Sequence, residues 1–261
     1  MEIVVCIKQV PDTTDVKIDP ETGTLIRDGV PSIVNPFDEY AVEAALQLKE
    51  DLGGKVTVIT MGPPQATEAL KKCIAMGADD GILVSDRAFA GSDTWSTSYT
   101  LAKAMEKMGA YDLILCGKQA IDGDTAQVGP GIAEHLSISQ VTYVQKILKC
   151  SESHILVERG IEGGYEVIEA PLPAVLTIDK SANEPRIPSM MGTMKALRRE
   201  FPTMTCGDLD LEEGVYGMDG SPTRVKKTFT PEPRKGGRML SGEMDEALRQ
   251  LVDILREEKI V

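Results

Sequence analysis

Through the first 140 residues, short and almost uninterrupted apolar runs alternate with longer stretches in which apolar residues recur every three or four positions. The first run is Val4-Val5-Cys6-Ile7, inside a strand from Ile3 to Ile7; Val56–Thr60, Ile82–Ser85 and Leu113–Cys116 are the next three. Each reads as a strand buried on both faces. Ala41, Ala44, Ala45 and Leu48 fall at helical spacing, and Gly53-Gly54 ends that run. Asn35 is a candidate N-cap, Pro36 suits the first helical position, and Asp38 and Glu39 suit the positive end of the helix dipole. Further helices are predicted from about Gln65 to Met76 and from about Asp93 to Met108.

Beyond Gln140 the texture changes. Val141–Leu148, Ile155–Arg159, Tyr165–Ala170 and Ala174–Ile178 read as strands, the middle two joined by a turn at Gly163-Gly164. The loop before Asn35 has room for hairpin arms at Val16–Ile18 and Thr24–Ile26. From Glu184 onward Pro, Gly and Met dominate, and Pro188 and Gly192 discourage a long regular helix there. Thr223–Arg238 carries Arg224, Lys226, Lys227, Arg234, Lys235 and Arg238 against the single acid Glu232. A last helix is predicted from Ser241 as N-cap, with Met244, Leu248, Leu251, Val252 and Leu255 on one face. That face either closes its own domain or embraces another chain. The pattern as a whole predicts an α/β fold, a mainly parallel sheet with helices on both faces, followed by a C-terminal arm.

Composition narrows the function. The 261 residues hold 28 Lys and Arg against 41 Asp and Glu, a formal net charge of −13 that repels phosphate backbones. Aromatics are only 4%, too few for the stacking platforms of single-strand binders, so no nucleic-acid partner is expected. The five cysteines form no C-x-x-C pair and the only histidines are His135 and His154, which disfavours a disulfide framework or a metal centre. Without a basic start leading into a long apolar run, or any run of 18 apolar residues, neither a signal peptide nor membrane insertion is expected. A cytoplasmic protein is the expectation.

The chemistry concentrates in one segment. Gly117, Lys118, Gln119, Ala120, Ile121, Asp122, Gly123, Asp124, Thr125, Ala126, Gln127 and Val128 follow the fourth strand and lead through Gly129-Pro130-Gly131 into a helix. Ligands of open α/β sheets collect beyond the carboxyl ends of strands, where successive backbone N–H groups and a helix N-terminus suit a phosphate. Asp124 and Thr125 are candidate caps for that helix. The segment matches neither G-x-G-x-x-G nor G-x-x-x-x-G-K-[ST]. Asn35, Pro36, Phe37 and Asp38 are expected to face the same crevice, with Met61 at the end of a neighbouring strand. An ordinary capped loop and a plain N-cap remain open readings of these segments. Cys6 and Cys116 read as small core residues, and the histidines as structural or exposed. No nucleophile–base set can be assembled, which favours a protein that holds a cofactor.

Taken together, several segments resemble the beta subunit of electron transfer flavoprotein. They are Val5-Cys6-Ile7-Lys8-Gln9-Val10-Pro11, Val34-Asn35-Pro36-Phe37-Asp38-Glu39, Ala75-Met76-Gly77-Ala78-Asp79, Gly117–Gly131, Leu172-Pro173-Ala174-Val175-Leu176-Thr177 and Asn183-Glu184-Pro185-Arg186. The resemblance implies a Rossmann-like domain, a heterodimer with a flavin-holding alpha subunit, and an adenine nucleotide lined by Cys6, Asn35, Pro36, Phe37, Asp38, Met61 and Gly117 through Val128. Asp122-Gly123-Asp124-Thr125-Ala126-Gln127-Val128-Gly129-Pro130 is similar to the electron-bifurcating branch, in which a second FAD takes the place of AMP. That branch implies hydride from NADH to this FAD. One electron then passes to the alpha-subunit FAD and a flavin-dependent dehydrogenase, the other to ferredoxin or flavodoxin, or the flow runs in reverse.

The resemblance also implies a partner-recognition loop after Arg186, with Met190 in place of the family's leucine anchor and Met191 and Met194 around it. The implied division is residues 1–187 for the cofactor, 188–222 for recognition loop and linker, and 223–261 for an arm on the alpha subunit. A single-flavin, AMP-containing carrier is the alternative. A non-redox adenine-nucleotide module is the remote one, disfavoured as a pyrophosphatase because Lys8-Gln9-Val10-Pro11-Asp12-Thr13 stands where S-G-G-x-D-S is needed.

Overall fold

The computed structural model describes residues 1–12, 31–226, 236–237 and 239–260. The hairpin arms expected at Val16–Ile18 and Thr24–Ile26, and Lys227, Glu232, Arg234, Lys235 and Arg238, lie outside the described residues. Met1–Lys226 forms one compact unit and Lys227–Val261 a second.

In the first unit, β1 (Glu2–Cys6), β4 (Lys55–Met61), β5 (Asp80–Val84), β6 (Leu113–Gly117) and β10 (Ala174–Ile178) are the predicted apolar runs. They pair in parallel, as do β7 (Ser139–Cys150) with β10 and the short β11 (Thr203–Met204) with β5. β8 (His154–Ile161) and β9 (Gly164–Pro171) complete the sheet as antiparallel strands after β7. The order is β11-β5-β4-β1-β6-β10-β7-β8-β9. A separate antiparallel pair joins β2 (Gln9–Pro11) to β3 (Ser32–Val34) and brings the chain back beside β1 just before Asn35.

Alternate residues of the central strands feed two cores. Ile3, Val5, Leu113, Leu115, Ala174 and Leu176 face the layer of α1 (Pro36–Leu52) and α2 (Thr67–Met76). Val4, Cys6, Ile114, Cys116 and Val175 face the layer of α3 (Thr94–Met108) and α4 (Val128–Leu136). This two-sided burial explains the unbroken apolar runs. The helix expected from Gln65 opens instead as a 3-10 turn, Pro64–Ala66, before α2. Asp93 caps α3 through its side chain, accepting from the Ser96 N–H. His135 sits edge-on to Trp95 and Tyr99, its ring centroid 4.6 and 5.5 Å from theirs.

The helices after Arg186 bear on two expectations. Residues 190–197 form a short helix of eight residues, α5 (Met190–Leu197), in keeping with the expectation that Pro188 and Gly192 discourage a long one. Pro188 lies before its N-cap, Ser189, whose hydroxyl accepts from the Gly192 N–H at 3.0 Å. Gly192 is there for packing, since a Cβ would run into the Ala75 carbonyl of α2. In the second unit, α6 (Met244–Glu257) starts three residues after Ser241, with Glu243 as N-cap. Gly242, at φ +108°, turns the chain between Ser241 and the helix, and the Ser241 carbonyl accepts from the Gln250 side chain. Met244, Leu248, Leu251 and Val252 on α6 are exposed. Among the described residues no helix is long and apolar enough to cross a membrane.

Leu115 is fully buried, whereas Val167 on the edge strand β9 is half exposed. Leu115→Ala is expected to cost about 2–5 kcal/mol of stability and Val167→Ala no more than about 0.5 kcal/mol. Urea titrations that move both midpoints equally would contradict the two-sided core.

Candidate functional site

The strand order reverses between β1 and β6: the chain builds outward from β1 through β4 and β5, then returns to lay β6 on the other side. Such a switch point leaves a crevice beyond the carboxyl ends of the strands. Cys6 and Cys116 stand opposite each other at its floor. The two loops that leave the strands are tied together by Lys8 Nζ and Asp122 Oδ1, 2.7 Å apart.

The first turn of α1 closes one wall. A Cβ on Gly117 would lie 2.6 Å from the Phe37 carbonyl carbon and 2.7 Å from the Asp38 nitrogen, so glycine is what lets α1 rest on the end of β6. Asn35 occupies the N-cap position but its side chain does not cap. The Asp38 N–H is already taken by the Asn35 carbonyl at 2.9 Å, which frees the side-chain amide for other work. Asn35 Nδ2 donates to Asp38 Oδ1 and to the Gln119 carbonyl, each at 2.9 Å, and Oδ1 accepts from the Ile121 N–H at 3.1 Å. The residue expected as a cap is therefore a cross-link between α1 and the loop after β6.

Asp38 is buried rather than displayed to the helix dipole, and its Oδ2 accepts from the Lys8 N–H at 2.7 Å. Burial raises its pKa to about 7, against the lowering effect of the hydrogen bonds from Asn35, Lys8 and Gly117. Glu39 instead pairs with Lys72 of α2. Hydrogen bonding to Cys116, together with burial, pushes the Cys6 thiol well above its ordinary range, so it is a core thiol and not a nucleophile. Met61, Pro36 and Phe37 are half-buried around this floor.

Across the crevice, Ile121 through Thr125 are exposed, followed by half-buried Ala126 and exposed Gln127. Asp124 and Ala126 adopt left-handed backbone conformations, φ 53° and 54°, which cost energy in non-glycine residues and recur at ligand sites. They also overturn the expected caps. The turn they make delays α4 to Val128, with Gln127 as N-cap, and Asp124 accepts from Gln119 Nε2 within the loop. Gln127 is held by the Thr94 hydroxyl, which donates to its Oε1 at 2.9 Å. Gly123 has φ outside the left-handed region, and a Cβ there would meet nothing within 4 Å among the described residues. Ala120 and Val128, both half-buried, close the loop's two ends.

Not every expected residue points into the crevice. Lys118 turns away to Asp179, 3.2 Å, with its ammonium 4.9 Å from the centre of the Tyr143 ring. Met190, Met191 and Met194 belong to α5 on α2, outside the crevice. Lys8 and Thr94 contribute contacts that no local pattern marks. What remains is an exposed loop and the N-terminus of α4 beside a buried thiol floor, an arrangement suited to a nucleotide and, among the described residues, without an activated nucleophile.

The architecture is a doubly wound α/β protein with its crevice at the switch point. A family model, Electron transfer flavoprotein domain, matches residues 22–205. The electron transfer flavoprotein subunit beta of Thermoanaerobacterium thermosaccharolyticum is 50% identical, with both chains covered in full. The caffeyl-CoA reductase-Etf complex subunit CarD of Acetobacterium woodii is 51% identical, also over both whole chains. Protein FixA of Azotobacter vinelandii is 50% identical over 90% of this chain and 85% of its own. The chain belongs to the electron transfer flavoprotein beta-subunit family.

Asp38 supplies a pH test. Its folded pKa lies above the ordinary carboxylate value, so the folded state keeps a proton that the unfolded chain has lost. This group's contribution to stability is therefore present below about pH 4 and falls as pH rises to about 7, beyond which it is flat. The gap in unfolding free energy between wild type and Asp38→Asn should change across that window and level off above it. Parallel profiles from pH 4 to 8 would show that Asp38 ionises normally in the fold.

Proposed function

We propose that this chain is the beta subunit of an electron-bifurcating electron transfer flavoprotein and that its crevice holds FAD. The observation that carries the reading is the open position above Gly123, in a loop otherwise pinned from both sides. Among the described residues no atom comes within 4 Å of that position, and a dinucleotide needs close backbone approach there. The residues fit such a group. When bound, the flavin supplies hydride exchange with NADH and one-electron transfer to two acceptors, the alpha-subunit FAD and a ferredoxin or flavodoxin.

The chain's own residues do the holding. Asn35 and the Lys8–Asp122 pair set the loop's position, and Asp124 and Ala126 fix its bend. The first turn of α4 offers N–H groups and a positive dipole end to phosphate. Cys6, Cys116 and Met61 form an apolar floor that excludes water. In this reading residues 1–187 hold the cofactor, 188–222 carry a docking surface for a flavin-dependent dehydrogenase, and 223–261 form an arm on the alpha subunit, all in the cytoplasm. The Acetobacterium woodii relative, named as a subunit of a reductase-Etf complex, supports a reductase or dehydrogenase as the partner.

Gly123→Val places a branched side chain where no atom of the described residues comes within 4 Å, so the fold should tolerate it while the cofactor does not. Asp122→Ala removes the tie to Lys8. Both variants, purified with the alpha subunit, should lose this subunit's flavin and keep the other, and lose NADH-driven ferredoxin reduction. Full flavin content and normal ferredoxin reduction in both would defeat the assignment.

The exposed face of α6 generates a second test. Burying a leucine such as Leu248 is worth about 1.5–3 kcal/mol, so deleting residues 241–261 should weaken association with the alpha subunit by about tenfold or more. An unchanged dissociation constant and unchanged bifurcation would place that face elsewhere.

A further inference from the structure

Ile187, Met190, Met191, Met194 and Leu197 are all exposed, Met190 to 89%, on and just before α5. An eight-residue helix does not persist unaided in water, so its direction must be imposed from outside. The imposing contacts come from α1 and α2. Arg186 Nε and Nη2 donate to the two oxygens of Glu43 at 2.8 and 3.0 Å, and its Nη1 donates to Glu50 Oε1 at 2.6 Å. The Arg186 backbone N–H adds a bond to Glu43 Oε2 at 3.1 Å. Three residues earlier, Asn183 Nδ2 donates to the Tyr40 carbonyl at 2.9 Å. Three residues later, the Ser189 N–H reaches the Ala75 carbonyl at 3.2 Å.

Glu43 is only 4% exposed. Burial alone would raise its pKa, but the Arg186 hydrogen bonds and charge outweigh it and hold the carboxyl below its ordinary value. A buried carboxylate paired with a partly exposed guanidinium contributes little net stability compared with an apolar pair of the same size. What it does contribute is geometry, because a guanidinium fork on a carboxylate fixes angle as well as distance. The fork sits immediately before an exposed apolar face, and it is anchored on α1, the helix whose first turn walls the crevice. Crevice and methionine face are thus registered on one rigid element.

We propose that Arg186 is a positioning residue that orients the α5 methionine face for the dehydrogenase partner. The inference rests on the docking role assigned to that face above; the soft, unbranched methionines suit a protein surface, and the occupant is a flavoprotein dehydrogenase.

The test uses the flavin-loaded heterodimer and the dehydrogenase that co-purifies with it. Arg186→Ala should weaken binding by about tenfold or more, and Arg186→Lys should restore part of it. Amide exchange should accelerate across residues 187–197 while α1 stays protected and flavin content stays unchanged. Arg186→Ala with wild-type affinity overturns the inference, as does a variant that loses flavin or α1 protection along with binding. The double variant Met190→Ala/Met194→Ala separates the two claims. If it loses binding while Arg186→Ala keeps it, only the positioning role falls. If both keep binding, the docking role of the face falls, and the positioning role with it.

Discussion

Asn35 is hydrogen-bonded through its side chain in three directions, to the carboxyl of Asp38, the carbonyl of Gln119 and the N–H of Ile121. Its backbone N–H completes a fourth bond, to the Lys8 carbonyl at 2.8 Å. The three segments that surround the crevice are the continuation of β1, the start of α1 and the loop after β6, and all of them meet on this one residue. A buried amide that lost a partner would carry its full desolvation cost, so the three segments hold their register together or not at all. Gly117 makes the meeting possible, since any side chain there would collide with the first turn of α1.

The rest of the fold serves that junction. Parallel strands buried on both faces put β1 and β6 side by side with their carboxyl ends level, and the helix layers stop them from sliding. Asp38, deep in the junction, holds a carboxyl whose burial outweighs its hydrogen bonds. The loop beyond is then free to take a costly shape, left-handed at Asp124 and Ala126, because its two ends are fixed. The same helix α1 that walls the crevice carries the Arg186 fork along its length, so a cofactor and a partner would be placed against a common reference.

Much of this was legible in the sequence, and the failures share a cause. The central strands appear as unbroken apolar runs because two-sided burial leaves no polar positions, and Ala174–Ile178 was located to the residue. Asn35 stands at the N-cap position expected of it, but cap propensity is local and does not reveal that the side chains of Asn35 and Asp38 hold partners 84 and 30 residues away. Asp124 and Thr125 failed as caps because left-handed backbone at non-glycine residues has no reliable mark in the sequence. Ser241 fails as a cap because Gly242, at φ +108°, turns the chain before the helix begins at Met244. Pro188 and Gly192 leave room for the short α5, since one precedes its cap and the other permits close packing on α2. Lys8 and Thr94 reach the loop from distant segments, and no spacing rule connects them to it.

The central claim is that the crevice holds a second flavin. Denaturing the wild-type heterodimer, separating the released nucleotides and counting them against protein tests that claim without any variant. The account predicts two FAD and no AMP per heterodimer. One FAD with one AMP would contradict it, leaving a single-flavin carrier whose crevice holds a structural nucleotide.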